Sequence, residues 1–267
     1  MPSAGEPLLS ARGVSKHFGG VTALADYQVE IPAGILMGLI GPNGAGKTTV
    51  FNILSGVLPP SQGRVLLRGR DITELKPHQK ARLGIARTFQ NIRLFPSLSV
   101  LDNVKIALHM RRGKGLWPTL LHTPGFRRSE REMHARAGEY LELLGLDQVA
   151  REEAGNLPYG LQRRVEIARA LATDPALLLL DEPAAGMNPN ETAELVEVIR
   201  RIHAEYGLTI FLVEHDMKLV MALCQRIQVL EQGRVLALGT PQEIRADRRV
   251  VEAYLGKKKE AAHAQGQ

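Results

Sequence analysis

Lys47 and Thr48 close the run Gly41, Pro42, Asn43, Gly44, Ala45, Gly46, Lys47, Thr48, Thr49, which fits G-x-x-x-x-G-K-[ST]. The run follows Gly34-Ile-Leu-Met-Gly-Leu-Ile-Gly41, a short apolar segment that reads as a buried strand. It precedes Thr48 to Ser55, which reads as a helix start. Strand, glycine loop and helix in that order form a cradle for phosphate. The glycines let the backbone curl, and the amides and positive helix end face the anion. Lys47 would reach the β- and γ-phosphates, and the Thr48 hydroxyl would ligate Mg²⁺.

Further groups could turn phosphate binding into hydrolysis. Leu177-Leu-Leu-Leu180 is an apolar run of strand length ending in Asp181 and Glu182. An aspartate there can hold Mg²⁺, and the next glutamate can polarise the attacking water as a general base. Acidic residues at a strand end can also be plain turn residues; the phosphate loop favours the chemical reading. Phe211-Leu-Val-Glu214-His215-Asp216 places His215 just past another apolar run, where an imidazole could meet the γ-phosphate or the water. Gln90 stands where the sequence changes character, and its amide could orient water or ligate the metal. Leu157-Pro-Tyr-Gly160-Leu-Gln-Arg-Arg164 opens a helix whose amides could make a second phosphate-binding end.

These groups must be carried by an α/β framework. The first forty residues are strand-rich, with Tyr27–Ile31 alternating apolar and polar. Arg64–Arg68 reads as a strand and 76–87 as a helix. From 91 to 157 helical patterns dominate, at Val100–Met110 and Ser129–Leu144, with a loop expected over 111–128. Beyond 158 come a helix at Leu161–Ala172, a strand at Ala176–Leu180, a helix at Glu191–Glu205, a strand at Leu208–Val213 and a helix at Met217–Cys224. A hairpin follows at Ile227–Leu230 and Val235–Leu238. Strands alternating with helices imply a parallel core. The expected organisation is one unit over 1–256, its helical block at 91–157 inserted in the α/β core, and a polar basic tail at 257–267.

Composition narrows the partners. The 267 residues suffice for a full core, and one cysteine, Cys224, excludes an internal disulfide. No apolar run approaches the roughly 20 residues of a membrane span, and Met1–Glu6 has no signal-peptide pattern. A soluble chain in a reducing compartment is expected. The formal charge is +6, with basic clusters at 111–114, 127–128 and 257–259. Nucleic acid, an anionic membrane face or plain solvation would each explain such clusters. Aromatic content is only 4%, with none interleaved among the basic residues, which argues against a stacking site for nucleic acid.

The order phosphate loop, glutamine, L-x-x-G-x-Q-R, LLLLDEP and VEHD resembles the ATP-binding subunit of ABC transporters, over about residues 8–240. Within that family it looks most like the branched-chain amino acid importer ATPase. Arg87-Thr-Phe-Gln-Asn-Ile-Arg-Leu-Phe95, Tyr159-Gly160, Arg163–Arg169, Asp181–Pro189, Glu214–Met217 and Gly239–Gly256 carry this match. The resemblance implies a P-loop hydrolase core with a mixed, largely parallel sheet, an N-terminal antiparallel β subdomain and an inserted helical subdomain. It implies ATP and Mg²⁺ as ligands. Phe18 would stack on adenine, Gly41 to Thr49 would hold phosphates, and Thr48, Gln90 and Asp181 would serve Mg²⁺. Glu182, His215 and Gln90 would be catalytic, and Gly160 would meet the ATP of a partner subunit.

The resemblance also implies a second ATP-binding subunit (the same chain or a different one), transmembrane permease subunits and an external substrate-binding protein. No nucleic acid is expected. The place would be the cytoplasmic face of the inner membrane. Other cargo is the alternative, such as lipopolysaccharide export or import of other amino acids or amides, with a non-transport ABC ATPase a more distant one. One departure stands out against the general L-S-G-G-Q signature. Pro158 replaces the serine, Tyr159 the first glycine and Leu161 the glutamine. Pro158 has neither hydroxyl nor N–H to offer a phosphate, so two composite sites built with a different partner are expected to be unequal.

Overall fold

A computed structural model describes residues 6–112 and 124–254, the side chains of 110–112 and 124–128 excepted. Consecutive apolar residues build the central sheet because both of its faces are covered. β3 (Leu36–Ile40), β7 (Leu177–Asp181) and β8 (Thr209–Val213) are buried at every position. Alternate side chains enter two different cores. Leu178, Leu180, Ile210 and Leu212 join the helices on one face, while Leu177, Leu179, Phe211 and Val213 join α1 (Lys47–Leu54) and the N-terminal strands on the other.

The sheet order is β10-β9-β3-β8-β7-β6, completed by β6 (Ile85–Arg87), β9 (Arg226–Glu231) and β10 (Arg234–Gly239). Pairing is parallel except between β9 and β10. A second, antiparallel sheet has the order β2-β1-β4-β5, from β1 (Leu9–Phe18), β2 (Val21–Ile31), β4 (Gln62–Leu67) and β5 (Arg70–Asp71). The Tyr27 hydroxyl donates to Gln228 Oε1 at 2.7 Å and Gln228 Nε2 donates to the Gln28 carbonyl at 2.8 Å, tying the two sheets together.

Most expected elements are present at nearly the expected bounds. One exception is 76–87. Only α2 (Pro77–Arg82) is helical, and β6 then runs over residues expected to be helix. Ile85, Ala86 and Arg87 are strand because they pair with Leu177, Leu178 and Leu179 of β7, a contact no local pattern announces. Buried Lys80 on α2 donates to the carbonyls of Ile53 and Leu54 at 2.9 and 3.3 Å, so a cation caps the C-terminal end of α1. The helical block comprises α3 (Val100–Arg112) and α4 (Pro124–Leu143), packed against α5 (Tyr159–Ala172). Of the loop expected over 111–128, residues 111–112 and 124–128 are instead helical, as the ends of α3 and α4; 113–123 and the tail at 257–267 lie outside the described residues. α6 (Pro189–Tyr206), α7 (Met217–Leu223) and α8 (Pro241–Ala246) complete the elements.

Candidate active site

The phosphate loop leaves the C-terminal end of β3. β6, β7 and β8 lie in the same sheet and point the same way, so Gln90, Glu182 and His215 all emerge at that end. Open parallel sheets place their ligand sites there. Register keeps the ends level: Leu39 pairs with Val213, Asp181 with Val213 and Arg87 with Leu179.

Two glycines are required by the loop's path. Gly41 has φ 154°, and a Cβ there would collide with the Leu230 carbonyl oxygen. Gly46, with φ 105°, caps α1, and a Cβ there would stand 2.7 Å from the Ala23 carbonyl oxygen. Lys47 is buried, and its ammonium donates to the carbonyls of Gly41 and Pro42 at 2.7 and 3.1 Å. The loop therefore carries its cation folded along its own rim. Ala45 is buried beneath it, whereas Asn43 and Gly44 are exposed.

Sequence-expected groups meet at one atom. Gln90 Nε2 donates to Glu182 Oε2 at 3.0 Å, and His215 Nδ1 stands 4.0 Å from the same oxygen. Glu182 turns out of β7 with φ 44°, a left-handed conformation unusual for a residue with a side chain. Its amide donates to the Val213 carbonyl at 2.9 Å, and the Ala185 amide donates back to its own carbonyl at 3.1 Å. Asp181, one residue earlier, is buried and paired with Arg87 at 2.7 Å.

The structure adds groups to which sequence reasoning assigned no role. Glu214 is fully buried. One carboxylate oxygen accepts the Ala184 amide at 2.8 Å, the other the His215 amide at 3.1 Å. It staples the turn after Glu182 to the turn that carries His215. Burial raises its carboxyl above the usual range, and those amides act against the rise.

Arg163, with no exposed side-chain surface, reaches from α5 to the stretch bearing Gln90. It donates to the Phe89 carbonyl at 2.6 Å, the Gln90 carbonyl at 2.8 Å and Glu166 at 2.6 Å. Glu166 in turn accepts the Phe89 amide at 3.2 Å. Desolvation raises the Glu166 carboxyl, against the pull of Arg163 and that amide. An arginine three residues before a glutamate on one helix face was the available signal, but its targets are backbone groups far away in the chain.

Phe18 and Gly160 stand apart. Phe18 is half exposed at the end of β1, with the Lys16 ammonium 5.3 Å from its ring centre. Gly160 lies in the first turn of α5 against the Glu191 carboxylate, where a Cβ would come within 3.2 Å. Among the described residues no hydrogen bond or ring contact joins either to the Gln90–Glu182–His215 group. Pro158 is the N-cap of α5 and gives it no side-chain cap.

Thr48, Gln90 and Asp181 supply hard oxygen donors, which suit Mg²⁺. Among the described residues no group of three His, Cys, Asp or Glu side chains could hold a metal alone. Mg²⁺ in nucleotide sites takes one or two protein carboxylates together with substrate phosphates and waters.

Comparisons with known proteins match nearly the whole chain. Residues 24–185 match the model of the ABC transporter family, and 234–260 match that of the branched-chain amino acid ATP-binding cassette transporter. The high-affinity branched-chain amino acid transport ATP-binding protein LivG of Escherichia coli K12 is 49% identical over 251 residues, 94% of this chain and 98% of that protein. Among solved structures, the ADP conformation of MJ1267, an ATP-binding cassette of an ABC transporter, superposes with TM-score 0.81 at 31% identity, over 93% of this chain and 98% of that one. A dimeric post-hydrolysis state of the cassette MJ0796, bound to ADP and Pi, superposes with TM-score 0.73 at 26% identity, over 87% and 98%.

Proposed function

Because this chain belongs to the ABC transporter family and is an ATPase of that family, we propose that it hydrolyses ATP to drive import of branched-chain amino acids. The convergence of Gln90 and His215 on Glu182 Oε2 above the phosphate loop is the observation that carries the hydrolytic reading. The match at 234–260 and the likeness to LivG support the cargo.

Gly41 to Thr49 hold the phosphates, with Lys47 leaving its loop carbonyls for the β- and γ-oxygens. Phe18, already exposed, stacks on the adenine. Thr48, Gln90 and Asp181 would hold Mg²⁺, which would supply charge neutralisation at the phosphates. Glu182 polarises the attacking water, Gln90 fixes the Glu182 carboxylate through its amide, and His215 approaches the γ-phosphate from the next strand end. Positioning and preorganised charge do the catalytic work.

Subunits of this family act as dimers on membrane permeases. Gly160 and the start of α5 then serve the ATP of the partner subunit. Among the described residues no helix is long and apolar enough to cross a membrane. A groove of about 410 Å³ between the sheet and the helical block, lined by Val57, Pro77, Ala86, Phe89, Ile106 and Ala107, is where a permease segment seats. The chain works at the cytoplasmic face of the membrane, in an assembly that receives its cargo from an external substrate-binding protein on the opposite side.

The test is Glu182→Gln in the assembled transporter. ATP binding should persist while turnover and uptake fall by about 10²–10⁴-fold, the usual weight of a general base. Near-normal turnover would refute the assigned role.

A further inference from the structure

Arg87 ends β6, just ahead of Gln90, and its guanidinium makes a fork into the interior. One terminal nitrogen donates to Asp181 Oδ2 at 2.7 Å; the other donates to Asn52 Oδ1 and Ser55 Oγ, each at 2.8 Å. Asn52 and Ser55 belong to the helix that follows the phosphate loop and to its cap. One side chain thus ties the strand leading to Gln90, the phosphate-loop helix and the carboxylate at the end of β7. The rings of Phe51 and Phe89 flank it, with centroids 5.8 and 5.3 Å from the guanidinium carbon. The ion pair is nearly dry, its two side chains 8% and 7% exposed.

Cohesion alone does not call for this arrangement. Two desolvated charges stabilise a fold no better than apolar side chains of the same volume. Three acceptors on two elements, taken by one planar fork, instead fix a carboxylate in position, a task suited to arginine and not to lysine. Oδ2 is committed to the guanidinium, which leaves Oδ1 outside that pair.

We propose that Arg87 is a positioning residue for Asp181: it holds the carboxylate fixed relative to the phosphate loop, and so sets the Mg²⁺ dependence of nucleotide binding. This rests on the reading of Asp181 as a Mg²⁺ group. Arg87 also lines the groove assigned to the permease, and its Nε–H is buried without a hydrogen-bond partner. A partner seated there lies one side chain from Asp181.

The test uses the full chain and a fluorescent ADP analogue, titrated with Mg²⁺ and, separately, bound in EDTA. Arg87→Gln should bind the analogue in EDTA like the parent, yet need about tenfold or more Mg²⁺ for half-maximal effect, the scale seen when a group orienting a metal ligand is lost. Arg87→Lys should fall between the two. A purely structural role would weaken binding equally with and without Mg²⁺, and that outcome overturns the proposal. So does a parent-like Mg²⁺ titration in Arg87→Gln.

Asp181→Asn separates the two layers. If it loses the Mg²⁺ response while Arg87→Gln keeps it, the proposal for Arg87 fails and the reading of Asp181 stands. If Asp181→Asn itself titrates like the parent, that reading fails and takes the proposal with it. Should Arg87→Gln not fold, Arg87→Lys decides: a severalfold rise in half-saturating Mg²⁺ supports the proposal, and a parent-like value overturns it.

Discussion

Replacing Arg163 by Met tests the clamp between α5 and the Gln90 stretch. The guanidinium has no exposed surface and serves Glu166 and the carbonyls of Phe89 and Gln90. Methionine fills much of the volume but answers none of these groups. Glu166, its side chain 7% exposed, is left as a buried charge without its cation. Breaking one side of such a pair costs about 3–5 kcal/mol. At about 2–4 °C per kcal/mol for a chain of this size, the melting temperature should fall by roughly 6–20 °C.

Scanning calorimetry on Arg163→Met, Glu166→Gln and the double variant gives the cycle. The double variant should melt above Arg163→Met, because the stranded charge is gone. The Arg163→Met deficit should also narrow on acidification. A carboxyl whose folded pKa lies above its unfolded value binds more protons when folded, so stability recovers as pH falls through the folded value. A fall of under about 3 °C for Arg163→Met, or a double variant as unstable as the sum of the singles, would sink the buried-pair reasoning.

Other perturbations have equally definite outcomes. Gly41→Ala drives a Cβ into the Leu230 carbonyl, so nucleotide binding should be lost in a fluorescence titration, together with several degrees of melting temperature. Burial lowers the Lys80 ammonium from 10.5 to about 8. The unfolded chain therefore holds more protons than the folded one between those values, and stability gains from this group as pH rises through that window. The melting temperature of the parent relative to Lys80→Met should increase from pH 8 to pH 10, and a flat difference would count against burial as the cause. Pro158→Ser adds a hydroxyl at the α5 N-cap and should raise the ATPase rate measured with the partner subunits; an unchanged rate argues that the proline costs nothing.

What could be read from the chain alone was whatever depends on neighbours in sequence. Gly41 to Thr49 announce themselves because phosphate binding needs glycines, lysine and threonine in a fixed order. Leu177–Leu180 and Leu208–Val213 show as strands because a doubly covered strand reads as a nearly continuous apolar run, broken here only by the β-branched Thr209. β6 was hidden because Ile85–Arg87 is short, follows a helix directly and becomes strand only by pairing with β7. Arg87, Arg163 and Glu166 lay inside recognised text without a role, since their partners are a carboxylate and backbone groups from other elements. Glu214 was overshadowed by His215, although it fixes the histidine's turn.

Thr88 and Phe89 are consecutive, yet they are anchored to different bodies. The Thr88 amide donates to the Leu179 carbonyl at 3.0 Å, inside the sheet, while the Phe89 amide donates to Glu166 on α5. The Arg163 clamp makes the stretch from Phe89 onward ride with the helices. On this side of the block, a rotation of the helices against the sheet bends the chain at the linkage between these two residues. Gln90 sits one residue beyond that pivot, so turning the block swings its amide toward or away from Glu182 on a very short lever. A small angular displacement of the helical block becomes a make-or-break event at one carboxylate oxygen.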